Sequence, residues 1–74
     1  MEQEFIKFIA SILEVSTEEL SMETSYGDVP QWDSLMQLCL VDEIYEKYGV
    51  DIPISVATNI RTLGEFYRYV KNAS

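Results

Sequence analysis

The stretch Trp32-Asp33-Ser34-Leu35-Met36-Gln37-Leu38-Cys39-Leu40 puts two nucleophile-bearing side chains, Ser34 and Cys39, into one run of helix-forming residues. The chain of 74 residues contains no histidine, so neither group has the imidazole base that Ser-His and Cys-His catalysis requires. Histidine metal sites are excluded for the same reason, and with a single cysteine so are thiolate zinc sites. The carboxylates lack the spacing of a calcium loop, in which acids alternate and a glycine follows. A self-contained enzyme is therefore not expected. With no histidine and few cations nearby to activate it, Cys39 reads as a small apolar residue and not as a reactive thiol. Ser34 has two readings. It matches a capping box with Gln37, in which the hydroxyl accepts from the Gln37 amide and the Gln37 side chain reaches back. Such a cap contributes about 1 kcal/mol. If Asp33 is the cap instead, the Ser34 hydroxyl lies in the first helical turn and is free for chemistry.

Three amphipathic segments must position that hydroxyl. Phe5, Ile9, Ile12 and Leu13 recur at helical spacing with Phe8 beside them, which predicts a first helix over residues 2–14. Ser16 and Glu19 have capping-box spacing and predict a short helical turn. Residues 21–31 contain Ser25, Gly27, Asp28 and Pro30 and read as a long loop, anchored by Leu20, Met22 and Tyr26. A loop of that length in so small a domain is often functional. The second helix is predicted from Ser34 to Tyr48, with Lys47 in its last turn and Gly49 at the position where a left-handed residue ends a helix. Residues 54–60 suit a brief helix. Thr62 and Glu65 form another capping-box pair, opening a last helix to Lys71 with Leu63, Phe66, Tyr67 and Val70 on its apolar face. The expectation is an all-α fold: a small four-helix bundle of three longer helices and one short one, with a long loop between the first and second.

Length allows one domain, residues 1–74, and a core of marginal size. Hydrophobic residues make up 47% of the chain, too many for a disordered one. No apolar run approaches the about 20 residues of a membrane-spanning helix, and the acidic start, Met1-Glu2-Gln3-Glu4, is unlike a secretory signal. A lone cysteine cannot form an internal disulfide and fits a reducing compartment. A soluble cytoplasmic protein, acting as a monomer, is expected. The formal net charge is −8, which argues against nucleic acid as a partner. Between Glu14 and Asp51 lie ten acidic residues and one base, Lys47. Such a segment either attracts a partner with a basic surface or serves only solubility.

At about 100° per residue, Leu40, Val41, Ile44 and Tyr48 group on the core side of the second helix. Leu35, Met36, Cys39, Asp42, Glu43 and Glu46 group on the other. That outward face is apolar beside Ser34 and acidic further along, which suits a docking surface. Leu35 is expected to fold back against the loop and Trp32. Met36 and Cys39 are left open between the two roles.

Asp33-Ser34-Leu35 resembles the D-S-L signature of acyl and peptidyl carrier proteins. The resemblance covers nearly the whole chain. Ser25-Tyr26 is similar to the family's Ser-Phe before the loop, and Ile52-Pro53 to its Ile-Pro after the second helix. Leu40, Ile44 and Tyr48 match buried positions of the second helix. Ala57, Ile60, Thr62, Leu63, Tyr69 and Val70 match the third and fourth. The resemblance implies that Ser34, flanked by Asp33 and Leu35, is the covalent attachment point of 4′-phosphopantetheine. A phosphopantetheinyl transferase would install it from coenzyme A with magnesium. It also implies docking, with Asp42, Glu43 and Glu46 as the acidic residues that could provide it and Met36 and Cys39 beside them on the outward face, to an acyl- or aminoacyl-loading enzyme and to downstream transferases or synthases.

The chain departs from fatty-acid carriers in several places. Their Asp-Leu-Gly before the signature reads Val29-Pro30-Gln31 here, and Trp32 stands in place of a small residue. Met36 and Cys39 occupy positions that are acidic in those carriers. The Trp-Asp-Ser-Leu form is similar to discrete carriers of polyketide, nonribosomal peptide, amino-acid activation or sugar-modifying pathways. The alternative is an unmodified helical interaction module that retains the carrier fold.

Overall fold

Helix α1, Glu2–Leu13, buries Phe5, Ile6, Ile9, Ala10 and Leu13, a stripe at three- and four-residue spacing that faces the core. Phe8 and Ile12 are half-buried at its margin. Glu2 and Glu4 in its first turn oppose the positive end of the helix dipole. The helix ends one residue earlier than the pattern predicts. Glu14 turns left-handed (φ 59°), and the Val15 amide closes back on the Ala10 carbonyl at 3.1 Å, a Schellman-type ending built without glycine. The structure, a computed structural model, describes residues 2–73.

A single 3₁₀ turn follows at Thr17–Glu19. Its capping box forms as expected: the Glu18 amide donates to Ser16 Oγ (3.3 Å) and the Ser16 amide to Glu19 Oε2 (3.0 Å). The long connection to the next helix is tied down from within and from outside. Internally, the Ser21 amide donates to Thr24 Oγ1 and the Ser25 amide to Asp28 Oδ2. Externally, it is stitched to the start of the last helix: Leu63 N–H to Thr24 O, Gly64 N–H to Met22 O, and Tyr26 N–H to Arg61 O at 2.6 Å. A Cβ at Gly64 would lie 3.1 Å from Met22 O, so glycine permits that close approach. Of the expected anchors, Leu20 is buried, Met22 is half-buried and Tyr26 is partly exposed. Thr24, Val29 and Trp32 are buried as well.

Helix α2 spans Ser34–Tyr48 and stops at Gly49 in the left-handed region (φ 71°), with the Gly49 amide bonded to Tyr45 O. Leu40 and Ile44 are fully buried, and Val41 and Tyr48 half-buried. Lys47 Nζ in the last turn also sits 5.3 Å from the centre of the Phe8 ring, a cation–π contact across to α1. Helix α3 is only Ile54–Ala57, shorter than the predicted 54–60. Thr58 Oγ1 and Asn59 Nδ2 both donate to Ser55 O, and such local side-chain bonds compete with helix continuation. Helix α4, Leu63–Ala73, opens on the predicted Thr62–Glu65 box, in which Thr62 N–H donates to Glu65 Oε1 and Glu65 N–H to Thr62 Oγ1. Among the described residues the only β-pairing is an isolated bridge between Ser25 and Thr62. The chain is an all-α bundle around Phe5, Ile9, Leu13, Trp32, Leu40, Ile44, Ile52, Leu63 and Phe66.

Backbone N–H donation from Arg61, then Thr62, holds the Glu65 carboxyl below its usual range. The unfolded chain therefore binds this proton more readily. The stabilisation is complete above the ordinary carboxylate range and is lost as pH falls through the lowered folded-state value. Glu65→Ala should cost about 1 kcal/mol at neutral pH, the scale of a helix-terminal device. Urea unfolding should show the gap between wild type and variant closing in acid; a gap independent of pH would contradict the assignment.

Candidate functional site

The head of α2 is organised by Asp33, whose backbone is extended (φ −112°) and whose Oδ1 accepts the Met36 amide at 2.9 Å. The Asp33 carbonyl accepts the Gln37 amide. Asp33 is thus the cap, and the Ser34–Gln37 capping box does not form. Ser34 is the first residue of the helix, is exposed, and its hydroxyl has no hydrogen-bond partner among the described residues. The amides of Ser34 and Leu35 point out of the same helix end, where unsatisfied N–H groups and the helix dipole favour an anion.

Gln37, whose side chain the capping-box pattern turns back toward Ser34, is buried instead. Its Oε1 accepts the indole N–H of Trp32 at 2.6 Å. Its Nε2 donates to Ala57 O at 2.8 Å and to Ile60 O at 3.0 Å. The side chain therefore joins the entry to α2, α2 itself, the end of α3 and the segment that follows it. Trp32, 1% exposed, packs into the core rather than on the rim. A signal was present: Gln37 lies on the helical stripe of Val41, Ile44 and Tyr48, and a buried indole needs an acceptor.

Two grooves flank Ser34. One, of about 370 Å³, is lined by Tyr26, Ser34, Gln37, Leu38, Thr58 and Arg61. The other, of about 390 Å³, is lined by Leu35, Leu38, Cys39, Val41, Asp42 and Ile54. Leu35 is 72% exposed, which corrects the expectation that it folds onto the loop: Trp32 is already enclosed by Tyr26, Phe66 and Gln37. Met36 is half-buried against the core, one turn before Leu40, so it contributes little to the outward face. Cys39 is exposed, as are Asp42, Glu43 and Glu46, which continue its stripe along α2. Leu38 and Ile54, 46% and 66% exposed, complete an apolar surface that helix phase alone did not assemble, because Ile54 comes from α3. Tyr26, Thr58 and Arg61 likewise reach the site only through the fold.

Among the described residues no cluster that could hold a metal ion is found, and the groove beside the hydroxyl is open. The site holds a free hydroxyl outward on a rigid helix end, with an apolar surface beside it. That is the construction of a carrier domain, which presents an attached group to other proteins. Comparison with known proteins agrees. The family model described as "Phosphopantetheine attachment site" matches residues 3–70. The chain is similar to the acyl carrier protein of Rickettsia bellii strain RML369-C, with 32% identity over 71 residues, covering 96% of this chain and 83% of that one. It is 31% identical over 68 residues to the acyl carrier protein of Acidothermus cellulolyticus, covering 92% of this chain and 81% of the relative. A meromycolate extension acyl carrier protein of Mycolicibacterium aurum is 31% identical over 74 residues, with 95% and 76% covered. The chain belongs to the acyl carrier protein family. Its cofactor is 4′-phosphopantetheine, and members of the family are carriers rather than catalysts. No helix among the described residues is long and apolar enough to cross a membrane.

Gln37→Leu should lower the unfolding free energy by about 2 kcal/mol, because it strips a buried indole N–H of its acceptor and two carbonyls of their side-chain donor. Urea denaturation followed by the fluorescence of Trp32, the only tryptophan, measures this directly. An unchanged midpoint would show that the buried amide contributes nothing net.

Proposed function

We propose that Ser34 is the residue that carries 4′-phosphopantetheine, and that the chain holds acyl or aminoacyl cargo on this arm for partner enzymes. One observation carries the assignment: the Ser34 hydroxyl is exposed and unengaged because Asp33 caps the helix in its place. The residues suit a phosphodiester, since the Ser34 and Leu35 amides and the positive helix end face the new anion. In loading, Ser34 Oγ bonds to the pantetheine-side phosphorus of coenzyme A as the pyrophosphate P–O bond breaks. The product 3′,5′-ADP leaves with the electron pair, and the hydroxyl proton passes to a base of the transferase. When bound, the arm supplies a terminal thiol, and thioester linkage there makes the cargo's carbonyl electrophilic.

The chain's own residues do the rest. Ser34 fixes the origin of the arm, which raises the effective concentration of the cargo at a docked enzyme. Leu35, Leu38, Cys39 and Ile54 offer the apolar centre of a docking face, and Asp42, Glu43 and Glu46 its acidic rim. A partner with an apolar anchor inside a basic rim fits it, and the rim charges act chiefly on association rate. We read the pathway as a specialised one. In support, the Trp32-Asp33-Ser34-Leu35 form is similar to that of discrete carriers outside primary fatty-acid synthesis.

Incubation of the apo-protein with coenzyme A, magnesium and a broad-specificity phosphopantetheinyl transferase tests the anchor. Intact mass should rise by one phosphopantetheinyl group. Ser34→Ala should abolish the rise, and Cys39→Ser should retain it. No rise in the wild type would favour an unmodified interaction module instead.

A further inference from the structure

We propose that Arg61 is a positioning residue for the arm: its guanidinium takes the phosphodiester on Ser34, and the arm leaves through the groove that Tyr26, Leu38 and Thr58 line beside them. This rests on Ser34 being the anchor. Ser34 and Arg61 line the same groove, and a phosphodiester on Ser34 Oγ is bound to lie at its mouth. Of the other polar groups there, the Gln37 amide is committed to Trp32, Ala57 and Ile60, and Thr58 Oγ1 donates to Ser55 O. Arg61 has donors to spare. Its recorded side-chain bonds, to Thr58 O at 3.0 Å and Ile60 O at 3.3 Å, both use Nη1, while a guanidinium carries five N–H groups.

Arg61 is also pre-organised. Its amide donates to Glu65 Oε1 and its carbonyl accepts the Tyr26 amide, each at 2.6 Å. Its guanidinium lies 5.8 Å from the centre of the Tyr26 ring. A side chain already held loses little freedom on meeting an anion. The need for a cation is electrostatic. The phosphodiester would sit next to the Asp33 carboxylate in a chain of net charge −8, and Arg61 is the cationic residue in this groove. Past the phosphate, Tyr26 and Leu38 offer apolar contact to the arm's geminal methyl groups. Leu38 lines both grooves, so it divides the path of the arm from the proposed docking face, and an enzyme seated on Leu35 and Ile54 leaves that path open.

The test uses loaded wild type, Arg61→Gln and Arg61→Lys, with Arg68→Gln as a control outside the groove. Intact mass first establishes loading, so failure of the anchor is seen separately as an unloaded wild type. In the loaded wild type, nuclear Overhauser contacts should join the arm's geminal methyls to the Tyr26 ring and Leu38 methyls. The ³¹P resonance should be displaced from its position in the urea-unfolded protein. Arg61→Gln should lose both signals, Arg61→Lys should keep part of the displacement, and Arg68→Gln should keep both. A fully loaded wild type without the contacts, or an Arg61→Gln protein that retains both signals, overturns the proposal while leaving the anchor standing.

Discussion

One buried primary amide sets the geometry on which the rest of this small bundle depends. Gln37 enters an apolar core and uses its oxygen and both polar directions of its nitrogen on three groups from three segments. In a low-dielectric interior, each of those bonds is costly to leave unmade, so the amide admits few alternative arrangements. Its consequence is positional. Helix α2 is held by its first turn against α3, and Trp32 is pinned beneath the segment that leads into it. A 74-residue chain with no disulfide has little core to spend on rigidity, and this polar clamp supplies it where the site lies.

Around that clamp the residues at the head of α2 divide their roles. Asp33 satisfies the helix end, which leaves Ser34 without a structural task. Leu35 is pushed outward because the space beneath is filled by Trp32 and its aromatic neighbours. The long connection, stitched to the start of α4 by backbone bonds, brings Tyr26 and Arg61 together beside the serine. The result is a hydroxyl standing between two grooves of different character: one with a cation, one apolar with carboxylates beyond it.

Such a construction suits the acyl carrier protein family, whose members are carriers rather than catalysts. On the proposed function, what the fold must provide is a fixed point, open access and surfaces that tell one side of that point from the other. A rigid helix end supplies the fixed point better than a loop, since its position is tied to the whole core. On the proposed function, the net charge of −8 would steer basic partners over long range, and the apolar residues nearest the serine would supply contact once they arrive.

The sequence by itself determined the helices and several of their caps, because these follow from residues within one or two turns of each other; the ends of α1 and α3 fall one and three residues short of the pattern. Ser16 with Glu19, Thr62 with Glu65, and Gly49 after Tyr48 all behave as their spacing dictates. The Asp33-Ser34-Leu35 signature and the acidic stripe of α2 were legible in the same way. Where two local rules competed, as at Ser34 and Gln37, spacing could not choose between them. Tertiary structure alone chose, since the winning partners of Gln37 lie 20 and 23 residues away. It also exposed Leu35, drew Met36 inward and carried Arg61 to the serine. Each of these outcomes is set by which distant segment already fills a given space, and no pattern within a single helix records that.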